Sequence, residues 1–423
     1  MKSSNAFIRE TKFAARDRSL WFWLIVVVAL STISISFGLT EVARQNATLE
    51  RLVISDQQDR WAELKKQQDW GSAAYYSFHL TYDAPSDFTF AAMGLRDQQP
   101  WKHRIRMLAL EGQIYERDVA NPSVALIGRF DFAFLAAFVI PLVLIMLLYD
   151  LRASERTAGR LDLLESTTAN TLRFWLTRMS LRASAVFLCV TLPLIVGGLI
   201  ASTAPGTLFL ASCAVFIYIA FWSLICFYVA SWKKSSATLL MTLVSAWLTT
   251  AVIVPAGARL AIDQLVPVPS GADILLLQRE TVNDAWDLPR ETTMDAFFER
   301  HPEWSNYQPV ESSFEWPWYY AFQQVGDQRT EDLANAYRDG RQRRDHLAAW
   351  TSLLAPPSLL ERWLQKLART DLESSIHYEN SVRAYHQALR DFYYPKFFSA
   401  APFDKSLLAE LPKYRPTQSD GAH

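Results

Sequence analysis

Five apolar blocks, each about as long as a bilayer is thick, constrain this chain more than any other feature. An α-helix rises 1.5 Å per residue, so a hydrocarbon core of ~30 Å needs ~20 consecutive apolar residues. The blocks lie at residues 20–39, 130–149, 183–201, 208–230 and 237–257. Only Asp131, at the edge of the second, carries a charge within any of them. Averaged over 423 residues the hydropathy is near zero, because long charged stretches separate the blocks. The first block follows basic residues, as the core of a signal peptide does. It exceeds the ~7–15 residues of such a core and no clean small-x-small site follows, so a retained span is expected.

Lysine and arginine in the short flanks set the expected orientation. The N-terminal segment carries Lys2, Arg9, Lys12, Arg16 and Arg18. The segment 150–182 carries Arg152, Arg156, Arg160, Arg173, Arg178 and Arg182, and the link after the fourth block carries Lys233 and Lys234. The link between the third and fourth blocks, STAPGT, has no charge. Alternating spans bring all three basic segments to one side. The expected topology has a cytoplasmic N-terminus, an extracytoplasmic C-terminus and two large extracytoplasmic domains, residues 40–129 and 258–423. The fold class expected is an α-helical integral membrane protein with about five transmembrane helices and two mainly helical outer domains.

In the first outer segment, residues 41–69 read as a helical stalk with a partial apolar stripe of Leu49, Leu52, Val53, Trp61 and Leu64. Residues 70–100 read as irregular chain or short strands. In the second, Leu359, Leu360, Trp363, Leu364 and Leu367 form one helical face, and Tyr378, Val382, Tyr385 and Leu389 another. Pro356 and Pro357 mark a helix start. The stretch FEWPWYYAF, residues 314–322, suits core packing first, and also a ligand platform or a bilayer-surface contact.

Several chemistries find no footing. The net charge of −1 offers no basic excess for nucleic acid. All seven histidines fall in the outer segments without HxH or HExxH spacing, so no metal site is expected. Cys189, Cys213 and Cys226 sit in apolar blocks and read as small buried hydrophobes. There is no phosphate-cradling GxxxxGK[ST] loop and no GxSxG elbow. The spans hold no central ionisable residue of the kind ion-coupled carriers need. Ser31, Ser34, Thr249 and Thr250 are the polar candidates to face inward. No catalytic residue, cofactor or metal ligand is assigned to this chain.

The segment after the second span, SERTAGRLDLLES, places Leu161 and Leu164 at i,i+3 beside Leu163, with charges opposite. Such a helix can lie in the bilayer interface or seat in the groove of a cytoplasmic subunit. It resembles the E-R-E-x-G-T-L-x-L-L element of ABC-2-type permeases, the membrane subunits of one class of ATP-binding-cassette transporter. Glu155, Arg156, Gly159, Leu161, Leu163 and Leu164 match, whereas Thr157 replaces an acid and Arg160 the usual threonine. Residues 1–19, with NAFIRETKFAARDRS, resemble the amphipathic connecting helix of that family. YDAPSDFTFAAMGLRDQQPW, NPSVALIGRFDFAFLAAFVIPL and YHQALRDFYYPKFF resemble the branch carrying domain of unknown function 3526.

The resemblance implies a permease subunit of an ATP-driven transporter in a bacterial inner membrane, itself without catalytic activity. The matched residues would touch a separate cytoplasmic ATPase, which holds ATP and Mg. A second permease subunit, like or unlike, would complete the complex, and a periplasmic client is possible. ABC-2 permeases usually have six spans where five are counted here, and residues 346–364 are too short and too charged for a sixth. Two other classes fit the same residues: mechanotransmission to a periplasmic client without translocation, and a membrane receptor or scaffold with no ATPase.

Overall fold

The computed structural model describes residues 3–116, 130–168, 170–309 and 314–416. Residues 121–129 of the NPSVALIGRF stretch and 417–423 of the polar tail lie outside the described residues. Helix α1 (Ser3–Ala14) leads into α2 (Arg18–Leu64). Short elements follow: α3 (Trp70–Tyr76), the antiparallel strands β1 (His79–Tyr82) and β2 (Lys102–Ile105), and α4 (Leu110–Tyr115). Helix α5 joins Phe132–Phe134, a π turn at Leu135–Val139 and Ile140–Leu148. Then come α6 (Ala153–Thr157), α7 (Leu161–Thr167), α8 (Thr171–Ile200), α9 (Pro205–Ala230) and α10 (Ser236–Leu265). The remainder holds α11 (Gly271–Asp284), α12 (Arg290–Phe298), α13 (Trp316–Ser352), α14 (Pro356–Ala368) and α15 (Leu372–Phe398).

Five helices among the described residues are long and apolar enough to cross a membrane. Their starts follow from local chemistry. Asp17, Asn170 and Ser235 each place a side-chain oxygen on free amides of the first turn, and Pro205 opens α9 where no amide partner is needed. Asp131, the one charge met in the blocks, caps α5. It accepts from Phe134 N at 2.8 Å and from Met93 N at 2.9 Å, which pins the bundle to the chain above it. Ser31 and Ser34 are buried, but Thr249 is exposed and bonds back to Ser245 O of its own helix. The three cysteines are free, with Cys226 buried and the others half-buried.

Two hydrophobic cores result. The first lies within the spans, and the second lies beyond one end of them. The sequence suggests two outer domains; the structure merges them. Leu64, Trp70, Ile105 and Leu110 from the first segment pack in one core with Phe297, Trp318, Tyr393 and Phe397 from the second. The span and stalk of the first segment form one unbroken helix, α2, whose 47 residues measure about 70 Å at 1.5 Å each. The aromatic stretch is core: Trp318, Tyr320 and Phe322 are buried among their neighbours.

Residues 346–364 form neither a span nor a surface helix. The end of α13 and the whole of α14 make a hairpin that folds back against the bundle. Helix α14 touches the π turns of α5 and α10 and also α9. Leu360, Leu364 and Ala368 belong to the core of the spans, while Leu353, Leu354 and Trp350 at the tip are exposed. The hairpin therefore sits beside the spans, at their depth.

Two features generate tests. A Cβ on Gly38 would lie 1.9 Å from Phe90 O, so helix α2 and the Phe90 turn touch backbone to backbone. Gly38→Ala should cost ~1–3 kcal/mol, read as a lower melting temperature in detergent; an unchanged melt would mean the contact gives way freely. His79 is fully buried, and burial with the nearby Arg60 charge holds it down to about 3. Unfolded, it titrates near its ordinary value of ~6.5. Between those values the unfolded chain binds a proton that the folded chain refuses. Stability should then fall as pH drops below about 6.5, by up to ~1.4 kcal/mol per unit. Melting at pH 7.5 and 5.0 should show this loss, and His79→Asn should shrink it. An undiminished loss in the variant would assign the effect elsewhere.

Candidate coupling site

The segment after α5 is not one helix. Helix α6 ends at Thr157, and Gly159 takes φ +68°, a left-handed conformation that a side chain disfavours. A Cβ there would meet no atom within 4 Å, so glycine is required by the backbone and not by crowding. Ala158 N and Gly159 N close the last turn on Ser154 O and Arg156 O, and the chain restarts as α7 in a new direction. The expected amphipathic helix through Glu155 and Leu164 is therefore two short helices with a glycine corner between them.

Glu155 turns inward. It is 7% exposed and accepts from Arg178 Nη1 at 3.2 Å and from Arg160 Nε at 2.9 Å. Arg178 rises from the first half of α8 and reaches back to Glu10 of α1, with Nε to Oε2 at 3.0 Å. The rings of Phe13, Phe174 and Trp175 lie 4.9–5.2 Å from its guanidinium carbon. One guanidinium thus holds two carboxylates from two distant parts of the chain, inside an aromatic collar. Removing one partner of such a buried set costs ~3–5 kcal/mol, because the others are left charged and unpaired. One turn further along α8, Arg182 donates to Asp17 Oδ2 at 3.0 Å and to Leu147 O at 2.7 Å. It ties the α1–α2 corner to the end of α5.

Arg156 faces the other way. Its Nη1 donates to Lys234 O at 3.3 Å and to Trp232 O at 3.4 Å, in the link between α9 and α10. Ser236 Oγ donates to Asp150 Oδ1 at 2.6 Å beside it. Arg152 lies over Trp175 and Phe227 at 5.4 and 5.2 Å. The three basic segments thus meet at the end of the bundle opposite the folded domain.

Helix α7 is an open part of this platform. None of its residues is buried. Leu161 and Leu164 are half-buried, and Leu163 is 65% exposed. Of the six matched residues, the structure brings Glu155 and Arg156 into the platform, uses Gly159 as the corner and presents the three leucines. Glu155, expected from the resemblance to touch a partner, is buried against Arg178. Sequence reasoning used Arg178 and Arg182 only as orientation signals and gave neither them nor Glu10 and Asp17 a place in the site. The signal available was the i,i+4 pair Arg178–Arg182 just before an apolar run, where unpaired charge is costly.

Among the described residues, no group of three His, Cys, Asp or Glu is placed to hold a metal. His79 and His386 are instead single buried rings, and His386 donates from Nε2 to Arg106 O at 3.1 Å.

Compared with known proteins, the chain matches no curated protein and no solved structure. Residues 273–417, from the first turns of α11 to beyond α15, match one family model, described as a domain of unknown function (DUF3526).

Proposed function

We propose that this chain is the membrane subunit of an ATP-driven ABC complex, with α6, Gly159 and α7 forming the element that a separate cytoplasmic ATPase grips. The observation that carries the reading is the buried Glu10–Arg178–Glu155 set. It fastens α6 to α1 and to α8, so a push on α7, passed through the Gly159 corner and the Arg160–Glu155 pair, reaches a spanning helix. Exposed Leu163, flanked by half-buried Leu161 and Leu164, supplies an apolar knob for a groove on the partner. The resemblance of residues 155–164 to the ABC-2 coupling element supports the same reading. On this view the basic end is cytoplasmic, in a bacterial inner membrane. The ATPase carries ATP and Mg, and a second permease subunit of like or unlike sequence completes the complex.

Mechanotransmission to a periplasmic client is the second reading, and α2 favours it. One continuous helix runs from the basic end into the core of the folded domain, and Arg96 of that domain binds Gln45 on it at 2.8 Å. Movement of the bundle would then reach the domain directly, with or without a substrate passing through.

Two variants test the coupling. Leu163→Asp alters an exposed side chain, so membrane insertion and melting should stay unchanged while recovery of a nucleotide-binding subunit with the tagged chain falls at least tenfold. Glu155→Gln should leave that recovery largely intact but abolish stimulation of ATP hydrolysis by the assembled complex, since the segment stays present and loses its anchor. Full recovery and full stimulation in both variants would sink the coupling assignment.

A further inference from the structure

A cavity of about 460 Å³ lies between the far half of α10, the end of α13 and the start of α14. Helices α10 and α13 run antiparallel along it, as the contacts of Arg344 Nε with Val266 O and of Gly340 with Val268 require. Its lining changes character along its length. Nearest the folded domain it holds Arg341, Arg344 and Asp345 of α13 and Arg259 and Asp263 of α10. Deeper along the bundle it holds Pro255 and Ala258 on one wall and Ala348, Thr351 and Ala355 on the other. One end is charged and the other apolar.

Pairing with Asp263, Asp345 and the adjoining Glu379 leaves one arginine over, Arg259. Four arginines line the cavity, counting Arg362 of α14, against the two acids Asp263 and Asp345. Arg344 takes Asp263 at 2.9 Å, and Arg362 takes both oxygens of Asp345 at 2.8 and 2.9 Å. Arg259 is left 3.9 Å from Asp263 and is largely exposed. Arg341 donates Nη1 to Glu379 at 2.8 Å and lies over the Tyr337 ring at 5.0 Å, while its Nε and Nη2 are buried without a hydrogen-bond acceptor. Buried donors of this kind normally have a partner.

The surroundings fix what kind of anion would arrive. The rim is continuous with the lipid-facing surface. Leu260 and Ile253 of α10 and Trp350 and Leu354 of the hairpin tip are all exposed and apolar. A free small anion would use the arginines and leave the apolar end empty. An acyl chain entering from the bilayer would use both.

We propose that this cavity binds an anionic phospholipid of the leaflet on the domain side, with its phosphate on Arg259 and Arg341 and its first acyl carbons along Ala258 and Ala348. The shared chemistry is a phosphate monoanion, which free phosphate also offers, and the lipid is the source to which the rim points. This site is independent of ATP coupling and stands or falls without it.

The test uses the full chain purified in mild detergent, with phosphatidylglycerol or phosphatidylcholine added in mixed micelles. Phosphatidylglycerol should raise the melting temperature by several degrees and appear as one retained lipid in native mass spectrometry. Phosphatidylcholine should do neither. The double variant Arg259→Gln/Arg341→Gln should lose both effects. Ala258→Phe fills the apolar end without touching an ion pair, and it should lose them too, which decides the matter if the double variant folds poorly. Equal response to the two lipids would overturn the proposal. So would a shift reproduced by inorganic phosphate alone, or one that Ala258→Phe leaves intact.

Discussion

The carboxylate of Asp327 makes one domain out of two parts of the chain. It accepts from the amides of Leu110 at 2.7 Å and Glu111 at 3.1 Å and from Gln278 Nε2 at 2.7 Å, and it pairs with Arg390. Burial pushes its acidity toward the neutral form, and the guanidinium beside it works in the opposite sense. Beside it Arg383 clasps Glu111 through two bonds of 2.7 and 2.9 Å. Leu110 and Glu111 belong to the segment between the first and second spans, and the rest to the segment after the fifth. Four spans lie between them. Because that number is even, both segments emerge at the same end, and a polar junction beside the shared apolar core joins them there.

The same physical device serves the opposite end of the molecule. There Arg178 is shared between Glu10 and Glu155, again bringing chain segments far apart in sequence to one buried guanidinium. Apolar packing alone could hold these pieces, but it tolerates sliding. A charged group with two partners at fixed distances does not, because any slip strands a charge in a medium of low dielectric. Register is thus set at both ends by arginine, while the middle is held by apolar contact.

The spans were legible in the sequence because lipid imposes a length. Their true ends were less so. Helix α8 begins at Thr171, about three turns before its apolar block, since Arg178 and Arg182 have partners that make a charged helical start acceptable. The glycine corner was visible as a helix breaker at Gly159, but its direction depends on a positive φ that sequence does not record. The inward turn of Glu155 depended on Arg178, and the merger of the outer segments on Asp327 and Gln278. These are pairings between distant residues, and no local pattern announces them. The hairpin of α13 and α14 was illegible for a different reason. Its stripe of Leu359, Leu360, Trp363, Leu364 and Leu367 reads as an ordinary amphipathic face. In the structure Leu360 and Leu364 meet the bundle, while Leu359 and Trp363 remain partly exposed.

That hairpin changes the outline of the bundle. Five helices are long and apolar enough to cross a membrane, and the end of α13 and all of α14 join them only toward the domain end. The bundle therefore holds more helices at that end than at the basic end, and its two ends differ in girth. A change in how α14 packs would alter the girth of one end and leave the other as it is.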